Sequence, residues 1–240
     1  VCHGLRLLNE GADILDVGGV STAPNRALVS EQEEMARVIP VIQGLVAQGI
    51  RQISIDTMRA SVAQEALNAG ASWINDQSAG LFDAKMPCVM AHADGVVLMH
   101  NGGGLTSGIE AGEAVHYLDV VGDIKNFFEG RIQVLSEAGI LPSKIIVDPG
   151  IGFGKGLNDS LAILNGMGRF SELGVISLIG VSRKSVIGKI SGIQKPQERD
   201  VASLGAVAVS VLVGASIVRT HNVRAAAEFF RVFDVVRRAG

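Results

Sequence analysis

The sequence predicts an α/β fold with one parallel sheet and, within that class, a (β/α)8 barrel. Three observations carry this. Amphipathic stretches alternate with short apolar runs through all 240 residues, and Gly-Ala, Gly-Ile or Gly-Val commonly leads into a run. The runs are almost continuously hydrophobic, as strands buried on both faces must be. Polar residues stand at or just past the C-terminal end of run after run: Asp16, Asp56, Asn75 with Asp76, His100, Asp148, Ser182-Arg183-Lys184, and Arg219 with His221. A closed barrel gathers all of them at one mouth, whereas an open doubly wound sheet gathers only those at its switch point.

The chain opens in a helix at 3–9 that Gly11 stops, followed by a strand at 14–17. A loop of glycines and hydroxyls, Gly18-Gly-Val-Ser-Thr-Ala-Pro-Asn25, leads to a helix near 31–48. Strand 53–55 delivers Asp56 and is followed by helix 59–69. Strand 72–74 delivers Asn75 and Asp76 ahead of a helix near 86–93. Strand 95–99 ends at His100 and a glycine-rich connection before a helix near 113–138. Strand 145–147 ends at Asp148, and helix 158–170 leads to strand 176–179. Helix 198–213 precedes strand 216–218, and a helix at 224–238 closes the chain. Residues 201–218 carry no charge and reach membrane-span length. Gly214-Ala215 divides them, so a buried helix feeding a buried strand is expected instead. A helix precedes the first of seven strands, which places the eighth upstream of Val1. Residues 1–240 are then one N-terminally incomplete barrel domain, with no linker or low-complexity tract.

Composition excludes several function classes. Hydrophobic residues make up 48% and charged ones 19%, below the roughly 25% charged in average domains, so the chain has the makings of a large core and not of a disordered tract. The formal charge is −3 and the basic residues are dispersed, which argues against a nucleic-acid partner. No membrane partner is expected either. Cys2 and Cys88 form no CxxC or Cys/His cluster, which argues against structural zinc and for a reducing, cytoplasmic setting.

The most specific segment is Asp148-Pro-Gly-Ile-Gly-Phe-Gly-Lys155. Its glycines admit close backbone approach to a ligand, and Phe153 can wall a flat ring. An ordinary glycine-rich turn would look similar, but the spacing is not that of a nucleotide-binding Walker loop. Gly180-Val-Ser-Arg-Lys-Ser185 sets two cations and two hydroxyls after a buried strand, suited to an anion or a polar heterocycle, with Arg183 as a fork and Lys184 as a point charge. Arg219-Thr-His221 follows the last strand, where barrels often hold phosphate groups. Asp56 and Asn75-Asp76 offer acceptors to a ligand with N–H donors in a row, although Asp56 also reads as a helix cap. His100 reads equally as a core histidine.

Together, GADILDVGGVST, ISIDT, WIND, VVLMH, DPGIGFGK, GVSRKS and GASIVRTH resemble the dihydropteroate synthase family in order and approximate spacing. The resemblance implies a TIM barrel, a homodimer and a magnesium-dependent transferase of folate biosynthesis. That enzyme condenses 6-hydroxymethyl-7,8-dihydropterin diphosphate with 4-aminobenzoate to dihydropteroate and diphosphate. It implies a pterin pocket at Asp56, Asn75, Asp148, Gly180 and Lys184. It implies an aminobenzoate site, the sulfonamide target, at Thr22, Pro24, Phe153, Lys184 and Ser185. Diphosphate would fall to Arg219, His221 and Thr22, with Lys184, Asp148, Arg219 and His221 the catalytic set. The family's magnesium-binding Asn has no counterpart after Val1, so no metal ligand is assigned in this chain. The homodimer follows from the resemblance alone, since no exposed apolar helix stripe stands out from the core pattern.

The sequence also departs from the family pattern. Val20 and Ala23 replace an acid and an arginine in the second loop, with Arg26 a possible substitute for the lost cation. Asn101 and Asn222 replace a methionine and an aspartate, and Gln77 and Ala79 alter the segment after Asn75-Asp76. Two other readings follow: a pterin-binding methyltransferase domain, against which the cluster of Arg183, Lys184, Arg219 and His221 argues, and a non-catalytic pterin-binding homologue.

Overall fold

The computed structural model describes residues 1–20, 29–102 and 116–239. Seven strands alternate with helices: α1 Cys2–Asn9, β1 Leu15–Gly18, α2 Glu31–Val46, β2 Ile53–Asp56, α3 Ala60–Asn68, β3 Trp73–Asp76, α4 Met86–Met90, β4 Gly95–Met99, α5 Val120–Glu137, β5 Ile145–Asp148, α6 Leu157–Gly166, β6 Ile176–Ile179, α7 Ser185–Ser191, α8 Asp200–Leu212, β7 Ile217–Val218 and α9 Val223–Arg238. All seven expected strands are present. Each pairs in parallel with its neighbour in sequence, in the order β1 to β7. There is no reversal of strand order, which excludes the doubly wound alternative.

β1 and β7 do not pair with each other, yet Arg219 just after β7 lies 2.8 Å from Asp16 in β1. In a flat seven-stranded sheet those edges would lie about 29 Å apart, at about 4.8 Å per strand. The sheet is therefore curled into a barrel wall whose first and last strands face each other across an open seam.

The period-two alternation of strands sorts their residues between two cores. Ile53 and Ile55, Ile74, Val96 and Leu98, and Ile145 and Val147 point outward into the large core under the helices. Val97, Ile146 and Leu178 point inward, with Trp73 and Ile217 packed against them. Gly95 makes room for that indole, since a Cβ there would lie 2.6 Å from Trp73. The inward parity then carries through Asp16, Asp56, Asn75 and Asp148, which lie at or near the C-terminal strand ends.

Local chemistry sets several helix starts. Ser30 caps α2 by accepting from the Glu33 N–H at 3.1 Å, Asp119 caps α5 from Gly122 at 3.0 Å, and Asn222 caps α9 from Ala225 at 3.1 Å. Other expectations are corrected. The helix expected at 158–170 ends at Gly166 and tightens into a 3-10 stretch, Met167–Leu173, where Gly168 approaches the Val213 carbonyl too closely for a Cβ. The helix expected at 86–93 stops at Met90, and α7 was not expected at all. An exposed apolar stripe does exist: Val201, Val209 and Leu212 on α8, and Val232, Val235 and Val236 on α9, are all solvent-facing.

Candidate active site

The inward parity places Asp16, Asp56, Asn75 and Asp148 at one mouth, around a continuous channel of about 2110 Å³ that runs into the barrel interior. Arg219 reaches across the seam and bridges two carboxylates, Nε to Asp16 Oδ2 at 2.8 Å and Nη2 to Asp56 Oδ2 at 3.2 Å. Asn75 donates to the same Asp16 oxygen at 3.1 Å. Asp16 Oδ1 is buried with no partner among the described residues. Burial, followed by repulsion from Asp16, pushes the Asp56 carboxyl up to about 7, although Arg219 opposes the shift.

Asp148 and Lys184 form the second charged unit. Burial raises the Asp148 carboxyl, opposed first by Lys184 and then by the Gly150 N–H, which donates to Oδ1 at 2.8 Å. Desolvation lowers Lys184 to about 8, against the pull of Asp148. Its Nζ donates to the Ile151 carbonyl at 2.5 Å and stands 4.8 Å from the Phe153 ring centroid. The ammonium is thus held by a backbone carbonyl beside an aromatic wall, with Asp148 acting on it through charge.

The glycine loop is shaped by its backbone. Gly150 adopts φ +66, and a Cβ there would lie 2.1 Å from the His100 carbonyl oxygen. Gly150→Ala is expected to destabilise the fold by at least about 2 kcal/mol and to displace Asp148, which urea denaturation and ligand titration on the same preparation would measure. Lys155 then ties the loop down. It is buried and donates to the His100 and Phe153 carbonyls at 3.0 and 2.9 Å, while burial lowers its amine to about 7. His100 itself is half-buried and packs as a structural residue. Its ring packs edge-on to Phe127 with centroids 4.8 Å apart, and burial drives its pKa down to about 3.

Beside Lys184, after the adjacent strands β6 and β7, the His221 backbone N–H donates to Ser182 Oγ at 3.2 Å, and its ring Nδ1 lies 3.1 Å from the same oxygen. Burial and then the nearby Arg183 lower the His221 pKa, which favours the neutral ring. Arg183 was a candidate ligand fork. Its fork is taken by Asp200, at 2.7 and 2.9 Å, and Asp200 also accepts from Asn222 at 2.9 Å. Arg183 thereby holds the loop, with φ +63, in a conformation that presents Lys184 to the mouth. Gly180 and Ser185 line the same channel. Thr22 and Pro24 lie outside the described residues.

Four supporting groups carry no clear sequence signal. Asp16 was noted as a strand-end acid but not as the partner of Asn75 and Arg219. Lys155 was part of a motif without a role. Glu34, fully inside the wall, accepts from Thr57 Oγ1 at 2.6 Å and from Arg59, whose Nη2 donates to the Val29 carbonyl at 2.7 Å. Arg37 holds the Gly19 carbonyl at 2.9 Å. Glu34 and Arg37 thus fix both ends of the segment that contains Thr22 and Pro24. An isolated Glu in an acidic first turn gives no sequence signal for this, because capping explains it equally well.

A family model described as pterin-binding enzyme matches residues 1–221. The dihydropteroate synthase of Synechocystis sp. is 38% identical over 233 residues, covering 97% of this chain and 80% of that protein. That of Bacillus subtilis is 38% identical over 239 residues, covering 99% and 80%. Among solved structures, Xanthomonas albilineans dihydropteroate synthase with 4-aminobenzoic acid superposes with a TM-score of 0.90 at 39% identity, covering 98% of this chain and 83% of that one. The same enzyme in complex with 7,8-dihydropteroate gives a TM-score of 0.87 at 38% identity with the same coverage. The curled parallel sheet, the acceptors at its mouth and these likenesses along nearly the whole chain agree: it belongs to the dihydropteroate synthase family of pterin-binding enzymes.

Proposed function

We propose that this chain condenses 6-hydroxymethyl-7,8-dihydropterin diphosphate with 4-aminobenzoate, giving 7,8-dihydropteroate and diphosphate. The observation that carries the reading is the convergence of Asp56, Asn75, Asp148 and Lys184 on one lined channel. Two carboxylates, an amide and an ammonium match the alternating N–H and carbonyl edge of a pterin. In the reaction the bond from the pterin methylene carbon to the diphosphate oxygen breaks, with the electron pair leaving on diphosphate. The aniline nitrogen forms the new C–N bond and releases a proton. This chain's residues act by positioning and by charge: Asp148, Lys184 and Asn75 orient the ring, and Phe153 walls the aminobenzoate.

Arg219 and His221 face the departing diphosphate in this reading. Arg219 spends Nε and Nη2 on Asp16 and Asp56, so the anion meets its remaining donors. His221, favoured as the neutral ring, acts as a hydrogen-bond donor more than as a charge. Thr22, Pro24 and Ser185 complete the aminobenzoate side. Magnesium belongs to the same reading, carried with the substrate's diphosphate; the described residues hold no group of three or more His, Cys, Asp or Glu side chains placed for a metal ion, so no residue of this chain is assigned to it. No step is assigned to it.

A homodimer belongs to the same reading, supported by the exposed valines and leucine of α8 and α9. Two unpaired, exposed cysteines support a reducing, cytoplasmic setting. No described helix is long and apolar enough to cross a membrane. The test is diphosphate release from the pterin diphosphate with and without 4-aminobenzoate. Aminobenzoate-dependent release is the expected result. Tight pterin binding without release would overturn it in favour of a non-catalytic binder or a methyl-transferring relative.

A further inference from the structure

Gln77 has no role in the reading above. It follows β3 with the inward parity of Trp73 and Asn75, is buried, and lines the same channel. Its Nε2 donates to Asp56 Oδ1 at 2.9 Å, while its Oε1 is buried with no hydrogen-bond partner among the described residues. Toward the charged form of Asp56, which Arg219 faces, the amide presents its NH2 group, and its oxygen is left over as a spare acceptor. A side chain of the same length without polar atoms would fill this space with no unpaired oxygen of its own, but would leave Asp56 Oδ1 without this donor. A glutamine here therefore carries a desolvation penalty that only a ligand or the tuning of Asp56 can offset. Gln77 is also one of the positions where the sequence departs from the family pattern.

We propose that Gln77 is a specificity-determining residue of this pocket. Its NH2 group holds Asp56 as an oriented, charged acceptor, and its spare oxygen favours a ring edge rich in N–H donors. The inference rests on the pterin reading of the site. The groups that face Asp56 come from every neighbouring element. Asp16 on β1 and Asp76 on β3 favour its protonated form, and Arg219 after β7 and the Gln77 amide favour its charged form. Asp16 and Asp56 share one guanidinium, so the Gln77 N–H is the second described donor that favours the charged form of Asp56.

The experiment is binding of 6-hydroxymethylpterin by fluorescence quenching, from about pH 5 to about pH 9, on the wild type, Gln77→Met and Gln77→Glu. Gln77→Met keeps the volume and removes both polar atoms. Its acid-side midpoint is expected to move up by about one pH unit, with roughly tenfold weaker binding at neutral pH and an unchanged KM for aminobenzoate. Gln77→Glu keeps an acceptor, loses the donor and adds a further negative charge beside Asp16, Asp56 and Asp76, and so should bind more weakly still. A Gln77→Met profile that superimposes on the wild type overturns the proposal. So does a loss of affinity without a midpoint shift, accompanied by a lower melting temperature, because that is a packing effect. If the wild type binds no pterin, the functional reading falls. The carboxyl resonance of Asp56, titrated by NMR without ligand, then decides the positioning role, and an unshifted titration in Gln77→Met overturns it.

Discussion

Lys184→Ala and Asp148→Ala are each expected to abolish pterin-dependent turnover. The milder Lys184→Met and Asp148→Asn should lower kcat/KM for the pterin substrate by at least about a hundredfold. Desolvation already holds Lys184 down to about 8, and Asp148 is the largest influence opposing it. Without that carboxylate, Lys184 loses its proton at a lower pH and no longer presents a full charge beside Phe153. Without Lys184, the buried Asp148 loses its largest stabiliser and shifts toward the neutral acid. The two residues therefore act as one unit, and a double variant should fare about as badly as either single one. Steady-state kinetics on the single and double variants, with melting temperatures to confirm folding, provide the check. Near-wild-type rates in any of them contradict the assignment.

Arg219→Met should produce the second large effect, and one with a pH signature. Among the described residues Arg219 is the guanidinium bonded to both Asp16 and Asp56, and its removal takes from two neighbouring carboxylates the cation they share. The Asp56 carboxyl, already at about 7, should rise further, moving the acid limb of kcat/KM to higher pH. Activity at neutral pH should fall by at least about a hundredfold. Stability follows the same proton. A carboxyl whose native pKa lies above its unfolded value of 3.8 binds more protons in the native state, so it destabilises the fold as pH rises through that window. The variant should therefore lose stability between about pH 4 and pH 8 more than the wild type does, by about 1–3 kcal/mol after allowing for the half-exposed guanidinium. Urea midpoints at several pH values measure this. A flat difference across that range would rule out the shared-cation account.

Much of the site was legible because a barrel turns linear order into geometry. The acids and amides at Asp16, Asp56, Asn75 and Asp148 all sit where an apolar run ends, and the alternation of each strand sends them to the same side. DPGIGFGK and SRKS were legible for a related reason, since glycines and clustered cations beside a buried strand are costly without a ligand to use them. Helix ends were less legible. Gly166 and Gly168 read as ordinary helix residues until the packing of Val121 and Val213 against them is known. α7 is too short for its periodicity to stand out.

Partner choice was not legible. Arg183 and Arg219 look alike as basic residues after a strand, yet one is spent on Asp200 and the other spans the seam to Asp16. These partners lie 17 and 203 residues away along the chain, and no local pattern distinguishes them. The sequence by itself determined the succession of strands and helices along the chain, the inward parity and the set of chemically capable residues, because those depend on local hydrophobic period. The tertiary structure alone decided which charges neutralise one another, that Glu34 and Lys155 fasten the loops, and that Gln77 faces Asp56. Those outcomes depend on distances across the curled sheet, where desolvation and Coulomb attraction act between residues far apart in the chain.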